Sequence, residues 1–234
     1  MEAILSLALI PVAFLLLYIY RKDRIQPEPI KNLVKGVIYG IGSCFIVFAY
    51  AEIVGDGDNL NGVEDAFIMA AIPEECAKLI MLWLLVRRMK EFDEPFDGIV
   101  YAVCIGMGFA GFENVLYLID NSDSLLSVGV MRGISAVPGH FCFAVAMGYY
   151  YSAVKFGGDR HRTTNKVLTL VAPIFMHGIY DSLLSLPEDI MWIAIIVWIV
   201  FCIRMFFLAH KHIKSMRTPP IPQATTDENN NNNL

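Results

Sequence analysis

The stretch Pro73-Glu74-Glu75-Cys76-Ala77-Lys78 places two adjacent carboxylates and an ammonium inside an apolar run from Asp65 to Leu85. A run of that length is long enough to cross a bilayer. Inside one, an ionisable group costs roughly 2.5–3.5 kcal/mol for each Asp, Lys or Arg on the insertion scale, so three together mark a functional-site candidate. Glu74 and Lys78 are four residues apart and share a helix face on which they can pair. Comparable groups recur in other apolar blocks: Glu113-Asn114, Arg132, His140, and His177 with Asp181. His177 and Asp181 again share a face, so Asp181 can hold one imidazole nitrogen and leave the other facing a site.

Two chemistries suit these residue types. Carboxyl groups crowded in a low dielectric do not ionise equally, and with imidazoles beside them they form a general acid–base set that can activate water against an amide. Alternatively Glu75, Glu113, His140 and His177 ligate a metal ion, with Zn the candidate cofactor, and the metal activates the water. The soluble H-E-x-x-H signature is absent, and the sequence leaves both chemistries open. Plainer readings compete: Glu74–Lys78 as an inert ion pair and His177–Asp181 as an interhelical hydrogen bond. Their occurrence together at one membrane depth argues against the plainer readings.

That depth follows from the elements that must carry these groups. The 234 residues are 56% hydrophobic and 18% charged, with mean hydropathy +0.53, against about 25% charged in soluble domains. Seven apolar blocks stand out, near 3–20, 34–54, 65–86, 98–119, 125–154, 167–186 and 190–209. Lys and Arg cluster after blocks one, three, five and seven, whereas the segments 55–64, 120–124 and 187–189 have none and are acidic. The positive-inside pattern therefore predicts an all-α integral membrane protein of about seven transmembrane helices, N-terminus outside and C-terminus cytoplasmic. At 1.5 Å per residue, Glu74 lies roughly 13 Å from the outer end of its helix, Glu113 roughly 10 Å and His177 roughly 13 Å. His140 lies deeper on a straight helix, and Pro138-Gly139 predicts a kink or break that lifts it. Gly106, Gly108, Gly111 and Gly178 let helices approach closely.

The first block lacks a basic leader and is read as a retained span. Cys44, Cys76, Cys104, Cys142 and Cys202 lie in apolar blocks without metal spacing and read as buried hydrophobes. Residues 1–217 form the membrane domain, and 218–234, rich in Pro and then Asn, read as a disordered cytoplasmic tail.

The ordered motifs Glu74-Glu75-x-x-Lys78, Phe109-x-x-x-Glu113-Asn114, Pro138-x-His140 and His177-x-x-x-Asp181 resemble the PrsW membrane proteases, within the superfamily that includes the CAAX prenyl endopeptidases. The resemblance implies a membrane-embedded peptidase acting on a membrane-anchored protein such as an anti-sigma factor, in the site-1 step of regulated intramembrane proteolysis. In the CAAX branch a Glu of the double-Glu motif activates water, while later His and Asn residues hold the oxyanion. That branch has His where this chain has Glu113, and Asn where it has Asp181.

The sequence thus predicts a peptidase whose catalytic set is Glu74, Glu75, Glu113, His140, His177 and Asp181. Lys78 tunes the carboxylates, Asn114 supports the site, and Arg132 receives an acidic substrate group. The expected partners are a membrane-anchored protein and the lipid bilayer, with no nucleic acid, and the expected location is a bacterial plasma membrane. The rival is a proton-coupled transporter or channel using the same Glu/His relay. Visible repeats are missing, which favours the enzyme.

Overall fold

The computed structural model describes residues 1–23, 26–55, 57 and 60–217. The chain forms helices α1 (Glu2–Lys22), α2 (Ile30–Val54), α3 (Gly62–Asp65), α4 (Ile72–Val86), α5 (Asp97–Asp120), α6 (Leu125–Ile134), α7 (Ala136–Phe156), α8 (Arg162–Leu184) and α9 (Met191–Arg217). No strand occurs among the described residues. Six of the seven expected blocks become helical segments long and apolar enough to cross a membrane. The block around Pro73 differs. It is a composite of α3, a π-helical turn over Ala66–Ala71, and α4. The expected tail at 218–234 lies outside the described residues.

The bundle is built around α5. Its most apolar window is 78% buried, against 17% for α1 and α2 and 11% for the last segment. α5 packs on α7, α2 and α1. In lipid, apolar side chains gain little by leaving the solvent, so close packing of small residues decides which helices touch. At Gly40 an added Cβ would sit 2.1 Å from the Ile105 carbonyl oxygen, and at Gly108 2.2 Å from that of Val37. The α2 and α5 backbones are therefore in direct contact, and no larger residue fits at either position.

Two local irregularities place the polar groups. Asn61 caps α3 in a reciprocal box with Glu64, which starts the composite helix cleanly. The π turn follows, with Ile72 N–H donating to the Phe67 carbonyl. Pro73 has no N–H to give, and its ring crowds the preceding turn, so the wider turn there relieves the conflict. The second irregularity is the break between α6 and α7. It falls at Ser135, three residues before the expected Pro138-Gly139. Proline is tolerated in the first turn of a helix and clashes with the residue four positions earlier. The chain accordingly breaks upstream, and Pro138 sits inside the start of α7.

All five cysteines are free, with Cys44, Cys104 and Cys142 buried and Cys76 and Cys202 partly so.

Candidate functional site

The composite helix delivers Glu74, Glu75 and Lys78 to the bundle interior, where they are 7, 0 and 3% exposed. Lys78 Nζ donates to Glu74 Oε2 at 3.0 Å and to Glu75 Oε1 at 2.9 Å. It also lies 3.2 Å from His140 Nδ1 and 3.9 Å from the centre of the Phe109 ring. One ammonium thus ties together both carboxylates of α4 and reaches the imidazole of α7. A buried charge is tolerable only when paired and hydrogen-bonded this fully.

α8 brings His177 from the facing side. Its Nδ1 lies 3.1 Å from Glu75 Oε1 and 3.8 Å from Glu74 Oε2, and its Nε2 lies 3.1 Å from Asp181 Oδ2. The ring stacks on Phe143, one turn along α7 from His140, at 4.8 Å. His140 is held the same way from α5: its Nε2 lies 2.9 Å from Glu113 Oε2. Each imidazole therefore has Nε2 on a carboxylate and Nδ1 toward the centre. A carboxylate on the outer nitrogen fixes the ring's orientation and raises its basicity.

Glu113 is shared. Arg132 Nη2 donates to the same Oε2 at 2.9 Å, and Arg132 Nε donates to Asn114 Oδ1 at 2.6 Å. Its guanidinium lies 3.7 Å from the Tyr117 ring centre. The break at Ser135 lets α6 turn Arg132 back onto α5. Arg132 is thus bonded to Glu113 and Asn114 through Nη2 and Nε, and it also lines the cavity beside them.

Glu74, Glu75, His140 and His177 each offer a ligand atom, and these atoms lie within 4.8 Å of one another, all four residues buried. Two carboxylates and two imidazoles are donors that suit Zn. Glu75 Oε2 is buried without a hydrogen-bond partner, so one donor atom is left for an ion, and the residues fit the group. This set differs from the expected one, in which Glu113 stood where Glu74 now stands. Arg132 draws the Glu113 carboxylate away from the centre, to the outer nitrogen of His140.

A cavity of about 440 Å³ opens beside this group, bordered by Glu74, Glu113, His140, His177, Asp181 and Tyr180. Glu75 does not border it. Phe143 and Tyr117 were missed from sequence, since an aromatic residue in an apolar helix carries no signal of its partner. Their positions, three after His140 and four after Glu113, are the helical spacing that would have flagged them.

A second buried carboxylate group occupies the opposite end of α5. Asp97 Oδ2 accepts from the backbone N–H groups of Asp93 and Glu94 at 2.9 and 2.8 Å. Asp23 Oδ2 accepts from the Glu28 N–H at 2.8 Å, and the Tyr101 hydroxyl donates to Glu28 Oε2. Burial pushes the carboxyl groups of Asp23, Glu28 and Glu94 above their ordinary range. The Glu28 shift is opposed by the Tyr101 hydrogen bond.

A family model described as PrsW family intramembrane metalloprotease matches residues 13–208. Relatives named Protease PrsW include that of Geobacillus kaustophilus (strain HTA426), 32% identical over 225 residues and 96% of each chain. That of Clostridioides difficile (strain 630) is 32% identical over 206 residues, covering 86% of this chain and 85% of the relative. That of Bacillus subtilis (strain 168) is 32% identical over 187 residues, covering 79 and 84%. No solved structure matches the chain.

Proposed function

The chain belongs to the PrsW family of intramembrane metalloproteases, and on that premise we propose that it cleaves a membrane-anchored protein at the Glu74–Glu75–His140–His177 centre. The substrate class is a single-span protein such as an anti-sigma factor, cut in the site-1 step of regulated intramembrane proteolysis. The observation that carries the reading is the convergence of four buried donors from three helices within 4.8 Å, beside a cavity of about 440 Å³. A protease family also leaves the transporter reading without support.

Glu75, His140 and His177 would hold the ion, since a catalytic zinc keeps three protein ligands and one open position. When bound, such an ion polarises the scissile carbonyl and the attacking water. Glu74 is the carboxylate of α4 that borders the cavity. It takes the water's proton at Oε1, the oxygen not committed to Lys78, and returns it to the leaving amine. Glu113 and Asp181 keep both imidazoles oriented through Nε2, and Lys78 keeps the two glutamates in register. Arg132 and Asn114 position Glu113.

The test reconstitutes the purified protein in liposomes with a single-span candidate substrate. Cleavage is expected to stop on chelation and return with zinc, at about one zinc per chain. Glu74→Gln should keep the zinc and lose cleavage, whereas His177→Ala should lose both. Full cleavage by a chelated, zinc-free preparation would refute the metal assignment, and full cleavage by Glu74→Gln would refute the base.

A further inference from the structure

We propose that the protein carries a dedicated site for an anionic phospholipid at the basic end of its helices, between α4, α7 and α8. A cavity of about 560 Å³ lies there, sharing no lining residue with the cavity of the carboxylate–imidazole centre, and four cations from three separate elements converge on it. Arg87 comes from the end of α4, Lys155 from the last turn of α7, and Arg162 and Lys166 from the first turns of α8. Its other walls are largely apolar, among them Leu79, Val86, Phe92 and Val154.

The charges there are not balanced by the protein. Arg87 has a ring contact, 4.7 Å from Trp83, and Lys155 bonds the Phe92 carbonyl. The nearest acidic partner of Arg162 is Asp159 at 3.7 Å, with Asp159 96% exposed. Lys166 forms no ion pair among the described residues. An occupant must therefore present negative charge to the rim and hydrocarbon to the walls. The two helices that flank the cavity expose the apolar side chains Ile80 on α4 and Val167 and Val171 on α8, and Trp83, half exposed, lines the cavity itself. Trp at that level marks the boundary between headgroups and acyl chains. A phospholipid with an anionic headgroup meets both demands at once, and basic pockets between transmembrane helices take such headgroups. A soluble anion meets only the first.

The lipid site does not depend on the proteolytic reading, and its test uses no cleavage assay. The protein has three tryptophans, so a Trp192→Phe/Trp198→Phe background leaves Trp83 as the reporter. In nanodiscs, dibrominated phosphatidylglycerol is compared with dibrominated phosphatidylcholine at equal mole fraction. The anionic lipid is expected to quench Trp83 at least about threefold more effectively, given the attraction of each cation for an anionic headgroup. The combined variant Arg87→Gln/Arg162→Gln/Lys166→Gln should bring the ratio close to one. The equally discharged control Lys31→Gln/Lys35→Gln/Lys90→Gln, at the same end of the bundle, should keep it. A ratio near one before any charge is removed overturns the proposal, even if the combined variant does not fold. So does a ratio that survives in the combined variant or falls equally in the control.

Discussion

The two ends of α5 each hold buried carboxylates, and they stabilise them by different means. At the Glu113 end, acidic groups from α4, α5 and α8 meet Lys78, Arg132 and two imidazoles. At the Asp97 end, carboxylates accept from backbone N–H groups and a tyrosine hydroxyl. In the first, partners come from side chains on other helices, the groups border a cavity, and one donor atom is left over. In the second, the carboxylates close the segments that enter α2 and α5. Buried acid groups are thus not enough to mark a site. Side-chain cations and imidazoles that converge on accessible space mark it, whereas acid groups bonded to backbone amides are holding the chain together.

Breaking either end should separate activity from stability. The largest effect is expected for Glu74→Gln, with cleavage down by about 10³-fold or more and thermal unfolding in detergent little changed. Unfolding far below that of the unmutated protein would mean that Glu74 is structural. Lys78→Met should damage both properties, because it leaves two carboxylates buried without their cation, at a cost of about 3–5 kcal/mol. Retention of full stability there would show that the pair is less buried than its packing indicates.

Arg132→Gln acts one step further out. Losing an outer partner that orients a metal-binding imidazole typically costs about 10–100-fold, and Arg132 acts on His140 through such a partner, Glu113. The loss should appear in turnover more than in KM if Arg132 acts through Glu113, which it bonds at 2.9 Å. A selective rise in KM would instead place Arg132 on the substrate. At the other end, Asp97→Ala removes the acceptor of two part-buried N–H groups, at about 0.5–1.5 kcal/mol each, so unfolding should come earlier while cleavage per folded molecule stays constant.

The smallest effect is that of Glu28→Gln, read as a pH profile. Burial raises the Glu28 carboxyl in the folded state, so folding favours its protonated form. Stability from this group is present at low pH and falls as pH rises from the unfolded value through the folded one. The amide still accepts from Tyr101. The variant should match the parent in acid and exceed it at neutral pH. Parallel unfolding profiles across that range would exclude the linkage.

Much of the site was legible because helix geometry is local. The four-residue spacing of Glu74 with Lys78 and of His177 with Asp181 fixed which side chains meet within one helix, and the structure shows both contacts. The apolar blocks fixed the all-helical membrane class for the same reason, since only backbone paired within its own segment crosses lipid. Three features were not legible. The π turn and the break at Ser135 are the backbone's response to a proline, and the response lies outside the proline's own position. Glu113 was named from its residue type as a candidate metal donor, and neither type nor depth reports which neighbours a carboxylate faces, here Arg132 and His140.

The sequence by itself therefore determined the class, the inventory of polar groups and their pairings within each helix. Only the tertiary structure decided that Glu74 borders the cavity while Glu75 is enclosed, that Lys78 reaches across to His140, and that Arg132 draws Glu113 to the outside of the centre. Those outcomes depend on rotation and register between helices. In lipid these are set by where glycines such as Gly40 and Gly108 let backbones touch and by which buried charges find partners, and neither is periodic in the chain.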